Sequence, residues 1–350
     1  MPLAPPSSSL ATAAALTAAL CWSLASLLWR RLPTALPAPR LNLLKNLLAL
    51  LLQLPLLLAQ WPSFVGAWNG DSVGETTGRF GLLAASGVLG IALGDSFHFA
   101  ALRRLGTRRC LTLEAGGPAL TTLAGLALLG EVPRAGQWLG VGCISLAVLL
   151  VARQRPPSQG PPAADQGSAD PSLATAPQRP QPPAGGTGWL TPRSGGNPTQ
   201  AAERLGLVFA LASLVCGCAG ALLARAALLG GPFDPLQAAT VRLGAACVVM
   251  APLLGGLPAP QRWRGLAWRH GALVLTATLL GTSFGIVLQQ TALAGLPGGL
   301  AVTLLATSPL MGVVIAPLEG DSPGRAGLLA AAAGLVGVSL VVGLPLPGLG

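Results

Sequence analysis

The chain has 350 residues, 52% of them hydrophobic and only 9% charged, with a mean hydropathy of +0.64. Soluble domains carry about a quarter charged residues, so this chain cannot cover a water-facing surface and a lipid bilayer is its expected solvent. The formal charge of +10 does not point to nucleic acid, because most basic residues sit at the ends of apolar runs, where they set membrane orientation, and no basic stripe carries interleaved aromatics.

The first span covers 10–29 and ends at Arg30 and Arg31, before a turn with Pro33, Pro37 and Pro39. The N-terminus lacks a positive leader region, and Leu20 does not suit a lipoprotein cleavage site before Cys21, so this segment is read as a retained span. Span two, 41–60, contains Lys45, Asn46 and Pro55. A polar loop with Asp71 and Glu75 leads to span three, 81–103, closed by Arg103 and Arg104. After a tight turn with Arg108 and Arg109 come span four, 111–129, and span five, 136–151. Residues 154–203 are rich in Pro, Gly, Ser, Ala and Gln and bury too little apolar surface to offset ordering entropy, which predicts a disordered linker. Spans six to ten follow at 205–229, 236–257, 271–293, 300–318 and 326–342. Each is long enough for a hydrocarbon core of roughly 30 Å. In lipid the backbone must satisfy itself, so these are helices; the alternation of barrel strands is absent.

The chain repeats. A shift of 191 residues lays Gly90 on Gly281, Gly94 on Gly285, Ala101 and Leu102 on Ala292 and Leu293, and Pro118 on Pro309. Slightly different shifts lay Arg30 on Arg225, Lys45 on Arg242, and Glu131 on Asp321. The expected fold is therefore all-α and integral to the membrane, with ten helices as two five-helix repeats, 10–153 and 204–343, joined by the 154–203 linker. Five is odd, so the second repeat enters from the opposite side. Such inverted repeats place a substrate site near mid-membrane between the halves.

Sixteen basic residues fall in the segments after spans one, three, five, seven and nine, called side A here; only Arg79, Arg134 and Arg225 fall on side B with the termini. That bias places side A in the cytoplasm.

The two repeats, the third span LGIALGDSFHFAAL, and a fourth span running from Pro118 to LLGE before a Gly-rich fifth resemble an EamA-type protein of the drug/metabolite transporter superfamily. The resemblance covers nearly all of the chain outside the linker. It implies a ten-helix exporter or exchanger of small metabolites, amino-acid-like or drug-like, in the plasma (inner) membrane. Sugar-phosphate-type exchange is an alternative within the superfamily. It also implies cytoplasmic termini, against the charge bias, and the long linker departs from the family's compact pattern.

Several residues are candidates for function. Asp95 and His98 lie one turn apart on span three, and an intramembrane ionisable group is a functional-site hypothesis by default; Gln289 matches His98 in the second repeat. Lys45 and Arg242 are matched cations that either snorkel to the interface, bind substrate carboxylates or, for Lys45, pair with Asp95. Asp95 and Glu114 are candidates for proton coupling, although Leu305 stands where a partner of Glu114 would be. Pro118 and Pro309 read as mid-helix kinks beside the cavity. Trp22, well inside its span, with Ser23 and Ser26 nearby, suggests a cavity face on the first helix. Gly90, Gly94, Gly281 and Gly285 form paired G-x-x-x-G contacts for helix packing. Glu131 and Asp321 read as caps or anchors at span ends.

Trp29, Trp61, Trp138, Trp263 and Trp268 fit an interfacial belt. The cysteines Cys21, Cys110, Cys143, Cys216, Cys218 and Cys247 form no C-x-x-C pair and read as packing residues. No cofactor, metal or nucleic-acid partner is expected, and no Walker loop is present to bind ATP. The expected partners are a small-molecule substrate and the lipid bilayer, the protein acting as a monomer or homodimer. The competing classes are an intramembrane enzyme built on Asp95, His98 and Glu114, and a membrane scaffold using the linker as a docking tail.

Overall fold

The computed structural model describes residues 4–30, 38–69, 73–153, 200–255, 268–315 and 324–343. Most of the 154–203 linker, with Trp189, lies outside them, as do Arg31, Pro33, Pro37, Asp71, Trp263 and Asp321. Among the described residues, ten helices are long and apolar enough to cross a membrane: α1 (Ser8–Trp29), α2 (Pro39–Ala59), α3 (Val73–Gly106), α4 (Arg109–Leu129), α5 (Ala135–Arg153), α6 (Gln200–Leu228), α7 (Pro235–Leu253), α8 (His270–Gly295), α9 (Gly298–Ile315) and α10 (Arg325–Val342). No strand occurs among the described residues. The protein is an all-helical, multi-pass membrane protein.

Two starts differ from the sequence expectation. Helix α3 begins at Val73 rather than 81, so Glu75 sits in a first helical turn and not in a loop. Its carboxylate is salt-bridged to Arg79 at 2.8 Å, four residues on, a spacing that supports an exposed helix. Helix α6 begins at Gln200, inside the segment read as linker. Glu203 lies in its first turn and pairs with Arg109, favourable both for the helix dipole and for holding the two halves together.

Turn chemistry explains other boundaries. Gly106 has φ 76°, a conformation open to glycine, and separates α3 from α4 with almost no loop. Helix α7 starts with a reciprocal cap: Asp234 accepts the Leu236 and Gln237 N–H groups, and the Gln237 side chain accepts the Asp234 N–H. Pro235 stands in its first turn. Between α2 and α3 a short helix, Trp61–Gly66, joins an aromatic cluster in which Phe64, Trp68 and Phe233 have ring centroids 5.3–6.0 Å apart.

The halves interlock. Helix α3 packs against α6, and α8 against α1; α2 meets α7, α4 meets α9, and α5 meets α10. Every one of these pairs crosses from one repeat to the other. The main core is accordingly shared, with Ala15, Ala18, Ile144 and Leu83 of the first half beside Ala224, Leu293 and Leu304 of the second. Alanine dominates it, and small side chains let helices approach closely where lipid gives no hydrophobic drive to association.

Candidate functional site

Helices α3 and α8 each contain a π-helical segment, Val88–Gly94 and Leu279–Phe284. These lie at matching points of the two repeats, over the G-x-x-x-G pairs. A π segment inserts extra backbone into a helix and is common at functional sites. Both segments pack on the first helix of the opposite half. A Cβ on Gly220 of α6 would stand 2.8 Å from the Gly90 Cα, and a Cβ on Gly281 would stand 2.6 Å from the Ala25 Cβ of α1. Gly94 lies beside Cys216 and Gly217, and Gly285 beside Trp22. All four glycines therefore stand at contacts between halves. The contacts are pinned by polar bonds: Trp22 Nε1 donates to the Gly281 carbonyl at 2.9 Å, Ser213 to Gly94 at 3.0 Å, and Ser86 to Gly220 at 2.6 Å.

Between these two contacts lies a cavity of about 500 Å³, lined from α1, α2, α3, α6, α7 and α8. Trp22, Lys45, Asp95, His98, Arg242 and Gln289, each singled out in the sequence, all line it. Lys45 Nζ stands 3.6 Å from Asp95 Oδ2. His98 Nδ1 stands 2.5 Å from Glu114 Oε1, a strong contact in which the imidazole is the donor. Arg242 is 3% exposed; its Nη1 reaches Gln289 Oε1 at 3.4 Å and its Nε has no partner. It is buried well within α7 and does not snorkel.

Ser23, Glu114 and Pro309 belong elsewhere. They line a second cavity, about 540 Å³, between α1, α4, α5 and α9. Ser26 borders both cavities, and the His98–Glu114 contact connects one wall to the other. Ser23 donates to the Ser308 carbonyl at 2.5 Å.

The prolines act differently from the expected mid-helix kinks. Helix α4 is interrupted at Ala115 and Gly116, and Pro118 sits in the first turn of the segment that resumes at Gly117. Helix α9 is interrupted at Ala306 and Thr307 and resumes at Ser308, with Pro309 next. A proline has no N–H to donate to the carbonyl four residues back, here Glu114 and Leu305, and its ring crowds that carbonyl. The helix therefore stops at that residue and resumes with the proline in its new first turn. Pro118 is buried and lines neither cavity.

Opposite the cavity, on side B, the halves are tied together. Glu131 accepts from Arg225 Nε at 2.8 Å and from the Gly298 N–H at 2.6 Å. Arg225 also donates to the carbonyls of Leu293 and Ala294, at 2.8 and 2.9 Å. Arg79 donates to the carbonyls of Ala227 and Leu229. These bonds close that end of the bundle.

Sequence reasoning passed over Asn46, Phe99 and Thr282, which also line the central cavity. Asn46 and Thr282 adjoin Lys45 and Gly281, which were singled out, so adjacency was a usable signal for both. The π segments had only the glycine pairs to announce them.

The EamA-like transporter family matches residues 9–153 and 204–343. A solved structure described only as the crystal structure of a protein is 18% identical, covers 96% of this chain and 96% of its own, and superimposes with a TM-score of 0.63. At that identity it bears on the fold alone. No curated protein matched.

Proposed function

The chain belongs to the EamA-like transporter family, and on that premise we propose that it exports small metabolites, amino-acid-like or drug-like compounds, by alternating access through the central cavity. As a member of a family of membrane transporters it is assigned no enzymatic role. The observation that carries the reading is the composition of the cavity wall. Lys45 and Arg242, Gly90 and Gly281, and His98 and Gln289 are repeat-related pairs, and all six residues line one space between the halves. Alternating access needs a site that either half can expose by rocking against the other. The bonds around Glu131 close side B in this conformation. Asp95 is engaged with Lys45 and Glu114 with His98, and neither acid is arranged as a base beside a nucleophile, which favours transport over intramembrane catalysis.

The membrane is proposed to be the plasma (inner) membrane, and Asp95 and Glu114 are proposed to carry coupling protons. An untargeted comparison of excreted metabolites in deletion and overexpressing cells tests the function. Compounds that accumulate outside on overexpression and inside on deletion support it; identical profiles refute it. Reporter fusions at Gly350 and within the 154–203 linker decide which side faces the cytoplasm.

A further inference from the structure

Four ionisable residues line the central cavity, and they are not equivalent. The Lys45 ammonium has the Asp95 carboxylate at 3.6 Å. His98 has Glu114 at 2.5 Å. Arg242 has only the neutral Gln289 oxygen at 3.4 Å, and among the described residues no carboxylate lies within ion-pair distance of it. Its Nε is unpartnered although the residue is 3% exposed. An unpaired buried cation within a membrane is costly, and here the backbone is shaped to keep it. Helix α3 has Gly87 where α7 presses its Arg242 carbonyl, leaving no room for a Cβ, and Gly90 where the guanidinium Nη2 lies. The matched cations of the two repeats thus divide: Lys45 has the Asp95 carboxylate within ion-pair distance, whereas Asp95 acts on Arg242 only from farther off and leaves its guanidinium without a contacting anion.

We propose that Arg242 docks an anionic group of the substrate, so that the cavity takes small organic carboxylates or phosphates in preference to their neutral analogues. The inference rests on the transport reading of the same cavity. A guanidinium is planar and presents parallel N–H groups at the spacing of two carboxylate or phosphate oxygens. Trp22, Ile91, Phe99 and Ile286 give the same cavity apolar walls for the remainder of the molecule. The volume of about 500 Å³ is within the range of small-molecule sites.

The test is binding of radiolabelled benzoate to the purified full-length protein, with phenyl phosphate and benzamide as competitors. Wild-type protein is expected to bind benzoate, to release it to phenyl phosphate, and to ignore benzamide at equal concentration. Arg242→Gln is expected to weaken benzoate binding roughly tenfold or more, the size of a lost charge-assisted hydrogen bond, and Arg242→Lys to retain part of it. Competition by benzamide as strong as by phenyl phosphate, absence of benzoate binding to wild-type protein, or a preference removed by Lys45→Gln and not by Arg242→Gln would overturn the proposal. The competition arm uses wild-type protein and so does not depend on a variant folding. Uptake of the same label into proteoliposomes separates the two readings. Bound benzoate that is never transported contradicts the transport reading and leaves the docking site standing. Uptake that is equally inhibited by benzamide keeps transport and overturns the docking site.

Discussion

Glu131, at the end of α4, and Arg225, near the end of α6, meet at 2.8 Å across the boundary between the two repeats. Both side chains are about nine-tenths buried, 10% and 11% exposed. Glu131 also caps the N-terminus of α9 through the Gly298 N–H. One carboxylate therefore holds three helices at side B. Glu131→Ala leaves the guanidinium buried without its anion and is expected to cost about 3 kcal/mol. Thermal unfolding in detergent checks this; an unchanged midpoint contradicts it. Because the pair closes side B, a cysteine placed beside it is also expected to become more reactive to a water-soluble thiol reagent in that variant.

The Gly90–Gly220 contact sets the distance between α3 and α6. A Cβ on Gly220 would stand 2.8 Å from the Gly90 Cα and 3.1 Å from the Ser86 carbonyl, both backbone atoms that cannot turn aside. Gly220→Ala is expected to destabilise the protein by about 1–3 kcal/mol as an overpacked contact. Gly217→Ala, whose Cβ would have nothing within 4 Å, is expected to be neutral. Detergent unfolding of both variants distinguishes a specific contact from a general intolerance of α6.

The Lys45–Asp95 pair lies in the cavity wall with both groups part-exposed. Neutralising either one alone leaves the other charge unmatched. Lys45→Gln and Asp95→Asn are each expected to reduce transport, and the double variant to recover more than the product of the single effects predicts. Such non-additivity is the signature of residues in contact. Purely multiplicative losses would show that the two act separately.

Proton coupling through Asp95 or Glu114 makes uptake depend on pH. Proton-driven uptake is expected to lose that dependence in Asp95→Asn or in Glu114→Gln vesicles. Unchanged pH dependence in both variants rejects the proposal. The His98–Glu114 contact adds a readout: His98→Gln is expected to shift the pH profile if Glu114 is the proton carrier.

Much of this was legible before the structure. Span length and charge poverty fixed the membrane helices, and the repeat gave their arrangement. The matched positions then led to six cavity residues, because an inverted repeat brings equivalent points of α3 and α8, and of α2 and α7, to the same depth. What stayed hidden depends on three-dimensional detail. The state of Arg242 differs from that of Lys45 only because Asp95 has no acidic counterpart in α8, where Ile286 stands in its place; sequence shows the missing acid but not which cation the remaining one faces. Pro118 and Pro309 match in register and in local geometry, yet Pro309 lines the second cavity and Pro118 lines neither it nor the central one. The Arg225–Glu131 bond joins residues whose separation in the sequence carries no helical spacing to betray it.

The central claim is that the space between the halves is the path of the substrate, and Ser26 tests it most directly. Ser26 borders both cavities and its side chain is exposed, so Ser26→Trp fills the space without crowding a packed core. Leu128→Trp, at a position 74% exposed on α4, is the control. Excreted metabolites are measured in cells overexpressing wild-type, Ser26→Trp or Leu128→Trp protein at equal amounts in the membrane. The account predicts that compounds enriched outside by the wild type stay enriched with Leu128→Trp and fall to the background level with Ser26→Trp. Export undiminished by Ser26→Trp would contradict it.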